Sequence, residues 1–179
     1  MLGAAMIDTQ SDDPDWEALY IASDILGGGS LASRLGERVR EQEGLSYGVG
    51  CQFIAKPLER SAIFMIYAIT NPSNRDKLLK TVDEVLSEFQ SKGVTHEEIE
   101  SSRLSFLKQL DDILTNDAQL ASTLQQYLET NRDESFITRR RKNMEELTKA
   151  SVDAVIKKLL NEKKLVIVTA GDFKGKAGK

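Results

Sequence analysis

The feature that most limits the fold is how apolar periodicity is distributed along the chain. Short apolar and alternating runs, with two helical stretches between them, fill the first 70 residues, and one more run lies at 165–170. Residues 75–160 carry helical spacing throughout. The order is β, αα, ββ, several α, β. Elements grouped in this way favour α+β over a doubly wound parallel sheet. The expected architecture is two-layer, a mainly antiparallel sheet with helices on one face. No repeat or linker breaks it, so a single domain over residues 1–171 is expected, with 172–179 as a flexible tail.

Local signals place the elements. Residues 1–8 read as a strand. Asp13 and Pro14 suit the cap and first position of a helix carrying Trp16, Leu19, Tyr20 and Leu26. Gly27-Gly28-Gly29 ends it. Ser30 then suits the cap of a second helix, with Leu31, Leu35 and Val39 on one face and Gly44 closing it after Glu43. Residues 45–54 and 61–70 predict a hairpin across the turn at 56–60. Leu78, Val82, Val85, Leu86 and Phe89 mark a helix ending at Gly93. Thr95 and Glu98 form a Thr-x-x-Glu capping box for the next. Further helices are expected over 120–128 and 151–160, the last with Val152, Val155, Ile156 and Leu159 inward. The run 165–170 closes the sheet and ends at Gly171.

Composition excludes several chemistries. The 179 residues include one His and one Cys, too few for a Cys/His zinc site of about four ligands, and no internal disulfide is possible. With 24 Lys+Arg against 28 Asp+Glu, the formal charge of −4 argues against a nucleic-acid binder. No apolar run reaches the ~18–20 residues of a membrane span. A strand begins directly after Met1, which suggests a piece of a longer protein whose targeting end is lost. The chain reads as soluble, and its sequence leaves the compartment open, cytoplasm and periplasm included.

Most candidate motifs have structural readings. Gly27-Gly28-Gly29-Ser30-Leu31-Ala32 fits G-x-G-x-x-A but follows a helix, whereas the dinucleotide fingerprint must follow a strand. His96-Glu97-Glu98-Ile99-Glu100 lacks the second His of a zinc helix and fits helix capping. Arg139-Arg140-Arg141-Lys142 reads as a solvated helix face. Asp111, Asp112 and Asp117 have no supporting spacing, and Cys51 reads as packing. Arg40 and Tyr47 stand apart. They lie on either side of Gly44, where the chain reverses, so both can serve one site. Together they form a donor pair for a carbonyl oxygen or oxyanion. The same spacing also suits an Arg on a helix-end carbonyl and a Tyr capping the core.

Leu26-Gly27-Gly28-Gly29, Ser33-Arg34-Leu35, Val39-Arg40, Gly44-Leu45 and Tyr47 resemble the C-terminal half of the pitrilysin/insulinase-type zinc peptidases. Asp13-Pro14-Asp15, Gly93-Val94-Thr95 with Glu98-Ile99, and the run from Leu165 to Gly171 extend the resemblance. It implies one of two similar halves around a chamber. The other half carries H-x-x-E-H and the zinc. This half holds a peptide or unfolded-protein substrate through Arg40 and Tyr47 and assists the transition state. No H-x-x-E-H occurs here, so no cofactor is expected in this chain. Its partner is then a metal-bearing N-terminal half or homologous subunit, and the isolated domain is a candidate homodimer. A non-catalytic scaffold subunit of the same fold is the rival reading.

Overall fold

The computed structural model describes residues 1–28, 32–159 and 165–172. The expected cap Ser30, Leu31, the helix end at Leu160 and the tail from 173 lie outside them, as does the side chain of Leu159. Strand β1 (Leu2–Ile7) leads to helix α1 (Trp16–Gly27) and a π-helical segment, Gly36–Gln42. The hairpin β2 (Gly48–Ala55) and β3 (Ala62–Ile69) follows. Then come α2 (Arg75–Lys92), α3 (His96–Thr115), α4 (Asp117–Glu129), α5 (Ser135–Glu146), α6 (Lys149–Leu159) and β4 (Val166–Val168). The sheet runs β2-β3-β1-β4 with every pair antiparallel. The expected α+β architecture is therefore the observed one.

The alternation of β3 shows how the sheet divides. Ala62, Phe64, Ile66 and Ala68 are buried under the helices, while Ile63 and Ile69 are exposed on the other face. The register puts Leu2, Ala4, Met6, Ile54, Val166 and Val168 on that outer face with them. No charged residue stands among the outward positions of the four strands. On the inner face Leu19, Ile21 and Leu26 of α1, Leu78 and Phe89 of α2, and Ile156 of α6 fill the core with Phe64 and Ile66.

Glycine sets one critical contact. A Cβ on Gly27 would stand 2.5 Å from the Cys51 amide nitrogen and 2.9 Å from the Gly50 carbonyl carbon. The end of α1 therefore lies directly on β2, and backbone on both sides leaves nothing flexible to yield. Gly27→Ala is expected to lower stability by about 1–3 kcal/mol, the range for overpacking, despite alanine's better helix propensity. A urea melt reads this, and an unchanged midpoint would contradict the contact.

The structure departs from the sequence expectations in four places. Helix α1 starts at Trp16, because Asp13 first closes a turn in which its Oδ1 accepts from Asp15 N at 3.0 Å and its carbonyl from Trp16 N at 3.0 Å. The second helix is π over Gly36–Gln42, with Glu43 N bonding Arg38 O five residues back at 3.2 Å. Gly44 does close it, at φ +59°, with Leu45 N reaching Val39 O at 2.9 Å. The closing strand is cut to three residues, exposed along the edge of the sheet. The basic run is not one solvated face. Arg139 pairs with Asp133, Arg141 with Asp111 and Lys142 with Glu146, but Arg140 is buried against Glu17.

Candidate functional site

Two helix-end devices frame the site. Thr95 Oγ1 accepts from Glu98 N at 3.1 Å and Glu98 Oε2 from Thr95 N at 2.6 Å, so the expected capping box forms. Glu98 also takes a bidentate pair from Arg34, Nε to Oε1 at 2.7 Å and Nη2 to Oε2 at 2.9 Å. Arg34 Nη2 donates to Gly93 O as well, at 2.8 Å. Burial works against the Glu98 charge, but Arg34 and Thr95 outweigh it and hold the carboxyl below its ordinary value. Arg34 thereby ties the segment that carries Arg40 to the α2–α3 corner. Residues 64 apart in sequence make this tie, so no local pattern announces it.

Arg40 lies in the π-helical segment, where its Nε is 3.2 Å from Glu41 Oε1. An exposed pair of this kind is worth under about 1 kcal/mol, so an incoming oxygen can take its place. Tyr47 is 92 % exposed. It therefore does not cap the core. Its base is firm even so. Leu45 and Ser46 on its N-terminal side are buried. Thr70 Oγ1 donates to Leu45 O at 2.6 Å, and Ser46 Oγ donates to Gly48 O at 3.0 Å and Ile69 O at 2.5 Å. The backbone on both sides of Tyr47 is pinned to the end of the hairpin while its side chain stands in solvent. Arg40 and Tyr47 make no hydrogen bond to each other among the described residues.

A cleft of about 630 Å³ opens between α1 and α3, lined by Asp24, Ser33, Thr95, Glu97, Ser101 and Gln109 among others. Ser102 Oγ donates to Asp24 Oδ2 across it. Burial pushes the Asp24 carboxyl up, against the Ser102 hydrogen bond that lowers it. An acid raised in the folded state contributes stability below its unfolded pKa and loses it as pH rises through the folded one. Asp24→Asn should therefore melt higher than the parent at pH 7, and the difference should close as pH falls below the carboxylate range. An equal difference at both pH values would refute the assignment.

The remaining candidates carry no chemistry. Burial holds the Cys51 thiol well above its ordinary value, so it stays protonated and unreactive. Among the described residues no three His, Cys, Asp or Glu side chains gather as metal ligands. The donor set does not fit a zinc site. No helix of the described residues is long and apolar enough to cross a membrane.

Fold and site together define an α+β domain in which Arg40 and an exposed Tyr47 flank the turn at Gly44, with no cluster of metal ligands among the described residues. A family model described as the peptidase M16 inactive domain matches residues 3–106, more than half of the chain. The chain belongs to this family, as the inactive, C-terminal type of domain found in zinc protease-like proteins. A Bacillus subtilis protein named uncharacterized zinc protease YmxG is 34% identical over 85 residues, 48% of this chain and 20% of that protein. A Helicobacter pylori protein named non-peptidase homolog YmxG is 36% identical over 80 residues, 44% of this chain and 18% of that protein. The solved peptidase M16 inactive domain from Pseudomonas fluorescens superposes with TM-score 0.78 at 28% identity, covering 92% of this chain and 39% of that one. The matches span about a fifth of the length of these curated relatives.

Proposed function

We propose that this domain is the substrate-holding half of a zinc endopeptidase, acting on peptides or unfolded proteins. Arg40 and Tyr47 donate to the carbonyl oxygen of the bound peptide and to the oxyanion that develops when that carbonyl is attacked. The observation that carries this is Tyr47: a fully exposed aromatic on a backbone pinned by Ser46 and Thr70 has no packing role to explain it. Arg40 adds a second donor from a π-helical segment, a geometry frequent at functional sites. The metal chemistry belongs to a partner, either an N-terminal half of the same protein or a homologous subunit. The uncharged outer face of the sheet, with Leu2, Met6, Ile54, Ile63 and Ile69 exposed, is the surface that partner covers. The test is turnover by the two halves together, with Arg40 and Tyr47 varied one at a time. Unchanged turnover in both variants would remove the assigned role.

A second reading has its own support. A relative named as a non-peptidase homolog shows that the fold occurs in proteins so described. In that case the domain is an interaction subunit, and the same outer face serves assembly. An H-x-x-E-H sequence in the partner decides between the two.

A further inference from the structure

The cleft between α1 and α3 carries polar groups that the Arg40–Tyr47 site does not use. Its α3 wall includes Glu98, Ser102, Ser105 and Gln109, whose spacing puts them in one stripe along the helix. A helix stripe turned to a neighbouring element is ordinarily apolar. This one is short and polar, and Gly28 and Ala32 line the same cleft with almost no side chain. The elements therefore leave about 630 Å³ between them, within the ~300–1,000 Å³ usual for a ligand site.

Charge in the cleft has one sign. Asp24, Glu97 and Glu98 line it, and no Lys, Arg or His stands among its described lining residues. Glu98 is already matched by Arg34, which reaches it from outside the cleft. Asp24 has no such match. Its carboxyl is half-buried, no described Lys or Arg pairs with it, and the Ser102 hydroxyl is the described group that eases its charge. A carboxylate drawn out of water without a counter-ion is costly, and Asp in such places is ordinarily paired. Ile25 and Ala32 add apolar surface next to this charge. Among the described residues no three His, Cys, Asp or Glu side chains converge as metal ligands, so the groups suit an organic cation rather than a metal ion.

We propose that this cleft binds a small organic cation, an ammonium or guanidinium group on a short alkyl stem, with Asp24 as its counter-ion and the Ser101 and Ser105 hydroxyls as further acceptors. The stem lies along Ile25, Gly28 and Ala32, as alkyl stems of cations do on apolar surface. Neither Arg40 nor Tyr47 lines the cleft, so the inference goes beyond the substrate-holding reading and stands or falls without it. The same groups recognise a free alkylamine and the end of a basic side chain carried on a peptide, and the two sources are separable by experiment.

Amide NMR of the 179-residue chain titrated with pentylammonium, and with n-pentanol as its uncharged match, tests this. Pentylammonium should give saturable shifts at Asp24, Ser101, Ser102 and Ser105, and n-pentanol should not. Asp24→Asn keeps an acceptor for Ser102 and removes the charge, so it should weaken binding by roughly 10–100-fold, the worth of a hydrogen bond to a charged group. The same variant should melt higher than the parent at pH 7, so binding lost from a more stable protein is not unfolding. Ser105→Leu fills the cleft from an exposed position and should abolish the shifts with the melting temperature held. Blocked lysine, acetylated at its α-amine and methylamidated at its carboxyl, reads the source. Binding at least as tight as that of pentylammonium would support a side chain carried on a peptide, and weaker binding would support a free amine. Equal shifts with n-pentanol, unchanged affinity in Asp24→Asn, or no saturable response would each overturn the proposal. Shifts as large at the exposed Asp111, Asp112 and Asp117 would overturn it too, as mere attraction of a cation to an acidic chain.

Discussion

Arg140→Ala is expected to cost about 3–5 kcal/mol of folding stability, the range for stranding one partner of a buried ion pair. Arg140 and Glu17 have side chains only 9% and 4% exposed, with Nη1 3.0 Å from Oε1. The guanidinium lies 3.6 Å from the centre of the Trp16 ring and donates Nη2 to Ser11 O. Burial pulls the Arg140 pKa down, opposed by Glu17, yet arginine starts so high that it remains charged. Removing it leaves Glu17 buried with one long contact, Asn143 Nδ2 at 3.3 Å. A loss of this size is a large share of the ~5–15 kcal/mol that holds a domain folded. Arg140→Met combined with Glu17→Leu removes both charges and should recover most of it. Urea melts of the single and double variants measure the difference. A single-variant loss below about 1 kcal/mol would show that the pair is not the latch between α5 and the start of α1.

The second large effect is kinetic. In the complete two-half protein, Arg40→Ala and Tyr47→Phe should each lower kcat by at least ~10²-fold, the loss seen on deleting an oxyanion donor. Neither side chain is part of the core, so the melting free energy should move by less than about 0.5 kcal/mol. That separation matters. A turnover loss accompanied by a comparable stability loss would mark the residues as structural. A raised KM with kcat intact would confine them to ground-state binding of the peptide.

Arg40 and Tyr47 also show what a linear reading reveals. Their donor chemistry and the reversal at Gly44 were visible in the residues, and so was the grouping that makes the fold α+β. The exposure of Tyr47, which removes its core-capping alternative, came only with the structure, because neighbouring buried residues rather than its own spacing decide it. The π register of 36–42 was hidden for a related reason. Leu35 and Val39 satisfy an α pattern equally well, and the wider turn shows only in the bond from Glu43 to Arg38. Arg140 looked like one of four solvated cations, since its partner Glu17 lies 123 residues away. Periodicity reports which face of an element is apolar. It does not report a buried charge whose counter-ion arrives from another element.

We propose that these residues hold substrate while the metal chemistry lies in a partner half. Peptide cleavage measured on this chain alone with added zinc, then with the metal-bearing half supplied, tests it most directly. The chain alone should show no turnover, and the combination should show chelator-sensitive turnover that exceeds that of the metal-bearing half by itself. Robust chelator-sensitive cleavage by this chain alone would contradict it.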